Sequence, residues 1–127
     1  MRLLLDTHVV LWAVSDDPRL GPKTREMLDS PDHVRVVSAA TIWEVEIKIA
    51  IGKLAVDEDL RIVLANSAVE PLQISWFHAQ TAGRLLLHHG DPFDRMLVAQ
   101  ARCEGLTLMT SDRAIAAYDV AMIDPAL

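Results

Sequence analysis

Arg2-Leu3-Leu4-Leu5-Asp6-Thr7 is the stretch that decides the fold. Three consecutive leucines closing on an acid read as a short strand buried on both faces, the signature of a parallel sheet covered by helices. Working outward, residues 8–14 open a helix that Asp16-Asp17-Pro18 closes, and residues 23–28 form another, between Gly21-Pro22 and Asp29-Ser30-Pro31-Asp32. Residues 34–37 repeat the apolar-run signal and end in polar Ser38. Trp43, Ile47 and Ile51 then recur at helical spacing, broadened by Ile42, Val45 and Ile49, which predicts a helix over 41–51 with Gly52 as its stop. A helix over 57–68, a strand over 72–74 and a helix over 77–87 follow, the last ending at His88-His89-Gly90. Asp91-Pro92-Phe93-Asp94 is a helix start, with Asp91 as cap, Pro92 in the first helical position and Asp94 in the first turn. That helix runs to about residue 103 and stops near Gly105; a strand over 106–109, a short helix over 112–117 and a strand over 120–123 complete the chain. Strands alternating with helices predict an α/β/α sandwich around a central parallel sheet of about five strands, in one domain spanning 1–127.

The 127 residues are 51% hydrophobic, enough for a substantial core and too apolar for a disordered chain. Twelve basic against eighteen acidic residues give a formal charge of −6, which excludes nonspecific coating of nucleic acid or anionic membrane by a basic surface. A local nucleic-acid site stays open, because net charge does not say where the acids sit. The single cysteine, Cys103, excludes an intramolecular disulfide and a multi-cysteine zinc site, and reads as a packed thiol. The apolar N-terminal run is broken by Asp6 and His8 and has no clean processing site. No stretch approaches the ~20 apolar residues of a membrane helix, so a cytoplasmic protein without a membrane partner is expected.

Chemistry in an open parallel sheet sits beyond the carboxyl ends of the strands. Asp6 ends the first strand, and Asp112 follows the fourth by three residues. Glu44 lies early in the helix after the second strand, and Asp94 in the first turn of the helix that leads to the fourth. Asp91, three residues before Asp94, can cap its helix or face the same cleft. Crowded carboxylates repel unless cations neutralise them, and hard ions such as Mg²⁺ or Mn²⁺ favour oxygen ligands. An acid-rich pocket of this kind suits metal-assisted phosphodiester hydrolysis. Each acid also has a plainer reading. Asp6 ends a strand or caps a helix, Glu44 pairs with Lys48 one turn on, and Asp91, Asp94 and Asp112 complement helix starts.

These residues stand in four blocks: LLLDTHVVLWA (3–13), SAATIWEVEIKIAIGKL (38–54), DPFDRMLVAQA (91–101) and LTLMTSD (106–112). In that order and spacing they resemble PIN-domain ribonucleases, specifically the VapC toxins of type II toxin–antitoxin systems. The resemblance covers nearly the whole chain and is weakest over 57–75. It implies that Asp6 and Asp94 are direct metal ligands, that Glu44 and Asp112 complete the acidic pocket, and that Thr7 and Ser111 are polar neighbours able to orient water or phosphate. It implies a Mg²⁺- or Mn²⁺-dependent endoribonuclease in which metal-activated water attacks the phosphate without a covalent intermediate. Structured RNAs such as tRNA or rRNA are the implied substrates. A VapB-like antitoxin that blocks the groove and carries the DNA contact, and a toxin homodimer, are the implied partners.

Lys48, Lys53, Arg84 and Arg95 are candidate RNA contacts, each readable equally as a solvated charge, and Arg95 as part of a structural ion pair. His8, His33 and His78 lack a ligand pattern; His88-His89 either approaches the cleft or ends a helix. Trp12, Trp43 and Trp76 read first as packing residues. The apolar surplus leaves room for a surface patch that meets a dimer partner or an antitoxin helix. Two other functions compete. A haloacid-dehalogenase-type phosphatase wants a second aspartate two residues after the first, where His8 stands; a receiver-like metal-binding module would hold the ion without hydrolysis. A pure antitoxin-binding scaffold is a third. Setting the four acids aside leaves −2 for the rest of the chain, so the acidity argues only against metal-free attraction of RNA.

Overall fold

A computed structural model describes residues 1–88 and 90–127. Five parallel strands, β1 (Arg2–Leu5), β2 (Val34–Ser38), β3 (Val69–Leu72), β4 (Thr107–Met109) and β5 (Met122–Ile123), form one sheet in the order β3-β2-β1-β4-β5. The helices are α1 (Thr7–Val14), α2 (Pro22–Asp29), α3 (Ala39–Ala50), α4 (Leu60–Ala65), α5 (Trp76–Arg84) and α6 (Pro92–Glu104). Alternate side chains of β1 enter different cores. Leu3 and Leu5 join Val37, Met109 and residues of α1, α2 and α4, whereas Leu4 joins Val36, Leu108 and α6. Both faces being covered is why the leucines run without a polar break.

The expected α/β/α sandwich is what forms, with differences at its edges. The third strand lies at Val69–Leu72 rather than 72–74, and includes Pro71. Proline is tolerated there because β3 is an edge strand, where a missing N–H removes no ladder bond on the open side. The helix expected over 57–68 is only Leu60–Ala65, since Asp59 caps it by accepting from Ile62 N. Residues 112–117 contain a 3-10 helix, Arg113–Ala117, in place of a short α-helix. The helix expected over 77–87 is Trp76–Arg84, which leaves Leu86 and Leu87 exposed, and His89 lies outside the described residues.

Two devices position α6, whose first turn carries Asp94. The buried His78 imidazole accepts from Ser75 N through Nδ1 and donates through Nε2 to Glu104 Oε1 at 2.7 Å, which ties α5 to the far end of α6. At the near end, Arg95 donates to the carbonyls of Ala82, Leu85 and Leu86 and to the Tyr118 hydroxyl. Arg95 therefore satisfies orphan carbonyls at the end of α5 from a different helix. Cys103 is half-buried, with Sγ 3.5 Å from the Thr81 hydroxyl. No helix among the described residues is long and apolar enough to cross a membrane.

The turn before α2 is closed by the C-terminal segment: Gly21 N donates to Pro125 O and Lys23 N to Leu127 O. A Cβ at Gly21 would stand 2.0 Å from the Leu127 carbonyl carbon, so backbone must move. Gly21→Ala is expected to lower Tm by several degrees in a thermal melt, a loss of about 1–3 kcal/mol. Gly83→Ala, where a Cβ meets nothing within 4 Å inside α5, serves as the control and holds or raises Tm.

Candidate active site

β1 is flanked by β2 and β4, and the chain moves from one side of β1 to the other in passing from β3 to β4. This is a switch point, and Asp6 and Glu44 lie at the strand ends beside it. Asp6 leaves β1 with its backbone N–H on Met109 O of β4. Its Oδ1 caps α1 by accepting from Val9 N at 2.9 Å, and the Thr110 side chain bonds to it as well. At 4% exposure the carboxyl is nearly dry. Burial, with a smaller push from the charge of Glu44, raises its pKa above the ordinary carboxylate range, against the two hydrogen bonds and His8, which act downward.

Glu44 is 6% exposed and both of its oxygens are engaged. Thr7 Oγ1 donates to Oε1 at 2.5 Å, with the Thr41 hydroxyl 3.4 Å from Thr7, and Lys48 Nζ reaches Oε2 at 2.7 Å. The pairing with Lys48 is real, yet the carboxylate is buried in the cleft and not solvated. Asp112 follows β4 and caps the 3-10 helix through Oδ1 on Ala114 N, while its own N–H donates to Thr110 Oγ1. Asp94 is half-buried in the first turn of α6, and its N–H is held by Asp91 Oδ1 at 3.1 Å. The same Asp91 oxygen takes Phe93 N at 2.8 Å, so Asp91 serves as the helix cap.

Asp6, Thr7 and Glu44 are thus joined by contact or close approach; Asp112 is linked to Asp6 through Thr110, and Asp94 lies in the first turn of α6. Among the described residues, however, no three His, Cys, Asp or Glu side chains converge tightly enough to grip one ion. The donor set still fits a hard divalent cation chemically. Two carboxyls sit buried side by side, one with its ionised form disfavoured, and a cation with oxygen preference would relieve that repulsion. Ser111 is exposed. Thr110, buried and bonded to both Asp6 and Asp112, is the hydroxyl that organises the pocket. Only its place one residue after β4, on the same ledge as Asp6, could have marked it in the sequence.

The candidate cations divide. Lys48 is held by Glu44 and Arg95 by carbonyl oxygens, whereas Lys53 and Arg84 are exposed. Trp12 packs partly buried against the β1 core. Trp43 and Trp76 depart from the packing expectation: they are 61% and 95% exposed.

A parallel α/β domain with acids gathered at its switch point defines a class of site before any comparison is made. The chain belongs to the PIN domain family, whose model matches residues 3–121. That membership removes the phosphatase alternative. Its fold is similar to VapBC2 from Rickettsia felis, solved bound to a DNA fragment from the promoter (18% identity, TM-score 0.72, covering 97% of this chain and 98% of that one). DNA-bound VapBC from Salmonella typhimurium is alike (19%, TM-score 0.72, 98% of each chain), as is VapBC-1 from nontypeable Haemophilus influenzae (21%, TM-score 0.67, 100% of each). Comparison with curated protein sequences gives no significant match.

Two outcomes follow from the geometry. The raised Asp6 pKa means that the folded state resists ionising this group. The penalty is absent below the unfolded value of about 3.9, grows as pH rises from there toward the higher folded value, and is constant above it. Asp6→Asn keeps a capping oxygen, so in chelator at pH 7 its Tm is expected to exceed wild type by about 2–5 °C, with the gap closing toward pH 4. Equal melting curves at both pH values would contradict the desolvation account. Arg95→Lys cannot reproduce a planar fork serving several acceptors; it is expected to lower stability by about 1–3 kcal/mol in urea titration, with no RNA present.

Proposed function

We propose that this chain is a VapC-type toxin, a divalent-metal-dependent endoribonuclease held inactive by a cognate VapB-like antitoxin. The observation that carries the reading is the buried Asp6–Glu44 pair at the switch point of a PIN domain. Asp6 and Asp94 are the proposed direct ligands of Mg²⁺ or Mn²⁺, with Glu44 and Asp112 completing the pocket. When bound, such an ion offsets the carboxylate charge and lowers the pKa of water at the phosphate.

The chain's own groups do the rest of the positioning. Val9 N–H and the Thr110 side chain fix Asp6, so its orientation survives the loss or gain of a proton. Thr7 and Lys48 fix the two oxygens of Glu44 from opposite sides. Asp91 orders the first turn of α6, and that turn carries Asp94. Lys53 and Arg84 present exposed charge for RNA phosphates, while Lys48 can reach one only by sharing its ammonium with Glu44. Structured RNA, such as tRNA or rRNA, is the proposed substrate class. A homodimer, a cytoplasmic setting and DNA contact only through the antitoxin complete the reading. The VapBC complexes and the FitAB complex bound to a DNA fragment, which share this fold, support the antitoxin partner.

Purified protein is expected to fragment tRNA or rRNA with Mg²⁺ or Mn²⁺ and to stop in EDTA. Asp6→Asn and Asp94→Asn, confirmed folded by circular dichroism, should each lose at least about 100-fold in rate, the scale of removing a group that acts on the transition state. Metal binding without cleavage of any of these RNAs would favour the non-hydrolytic module instead. Toxicity that persists with all four acids neutralised would favour a scaffold.

A further inference from the structure

Trp43 precedes Glu44 on α3, and Phe93 precedes Asp94 on α6. The two rings meet edge to face, with centroids 5.2 Å apart at 74°. They border an apolar cleft of about 270 Å³, lined also by Ala40, Ile74, Pro92 and Met96. An indole left 61% exposed there is an apolar surface held open on the residue before Glu44.

We propose that the Trp43–Phe93 pair is a stacking platform for a nucleobase of the RNA strand beside the scissile phosphate. This rests on the nuclease reading. Electrostatics favours it over a purely ionic grip, because the cation that lines the cleft, Arg95, is committed to carbonyl oxygens. Lys48, one turn beyond Glu44, is tied to that acid, and the whole chain carries −6. Exposed Lys53 and Arg84 can meet phosphates elsewhere on the strand, and at this cleft the π-faces add affinity that its committed cation does not. Every base offers such a face, so the platform tolerates sequence while fixing where the strand lies. Glu44 and Asp94 follow the two aromatics directly in the chain, so the ring contact brings the backbone of both acid-bearing helix turns together beside the platform. The edge-to-face contact with Phe93 fixes the indole plane without covering it.

The test is steady-state cleavage, in Mg²⁺, of a randomised 12-nucleotide RNA pool carrying a fluorophore and a quencher, with sedimentation of each protein at assay concentration. Trp43→Ala is expected to raise KM about tenfold or more with kcat within about twofold, since one lost stack weakens binding by roughly 5- to 150-fold. Trp43→Phe should recover most of the loss, and the sedimenting mass should not change. An unchanged KM for Trp43→Ala, with wild-type cleavage intact, overturns the platform and leaves the nuclease standing. A KM rise that comes with a change in mass assigns the face to a protein interface and overturns it as well. A fall in kcat alone makes Trp43 a support for Glu44 and has the same consequence. If the wild-type protein cleaves nothing in the pool or in tRNA, the nuclease reading falls and the platform with it.

Discussion

A carboxyl group buried at the end of the central strand is the constraint around which this molecule is arranged. Asp6 cannot move outward to water without breaking the α1 cap, and it cannot move inward without entering the leucine core of β1. An isolated buried carboxylate carries a desolvation penalty that hydrogen bonds only partly offset. The neighbouring strand end answers with Thr110, and α3 brings Glu44 alongside, with Thr7 and Lys48 holding it. The second carboxylate raises the penalty on the first. Two acids placed so as to oppose one another, each with its orientation fixed, make sense as a cation site far more readily than as a stabilising feature.

The flanking acids depend on more distant contacts. Asp94 sits where it does because α6 is anchored at both ends, by Arg95 near its start and by the His78–Glu104 pair at its finish. Arg95 reaches back to α5 and across to Tyr118, just past the 3-10 helix that Asp112 caps. Arg95 thus supports both the helix that carries Asp94 and the residue that follows the 3-10 helix capped by Asp112.

Much of this was legible in the sequence, for identifiable reasons. Leu3-Leu4-Leu5 announces a doubly buried strand, and a polar residue at its end announces the crevice. Asp91 and Pro92 mark a helix start through their own chemistry, and the structure gives Asp91 that role. What was not legible depends on contacts between distant residues. Pro71 reads as a strand breaker unless β3 is known to lie at the edge. The end of α5 is set by Arg95, ten residues beyond Leu85. Trp43 has the periodicity of a core residue, but it meets Phe93 of α6 in a T-shaped contact and stays 61% exposed. Thr110 carries no motif; its importance arises only when β1 and β4 are side by side.

The chain's acidity takes on a specific meaning in this arrangement. A nuclease with many cations in its cleft would hold RNA by phosphates and would also neutralise its own acids, weakening their pull on a metal. Lys48 holds Glu44 through one oxygen while Thr7 holds the other. Asp6 is left with a hydroxyl and an amide as its hydrogen-bond partners, neither of which cancels its charge. On the proposed reading, the pocket keeps its charge for a divalent ion if RNA is held next to it by uncharged groups and by cations that lie away from the acids. Apolar surface next to the acids is the form such affinity takes, and it explains why an indole beside Glu44 can remain open to water at a cost that folding alone would not justify.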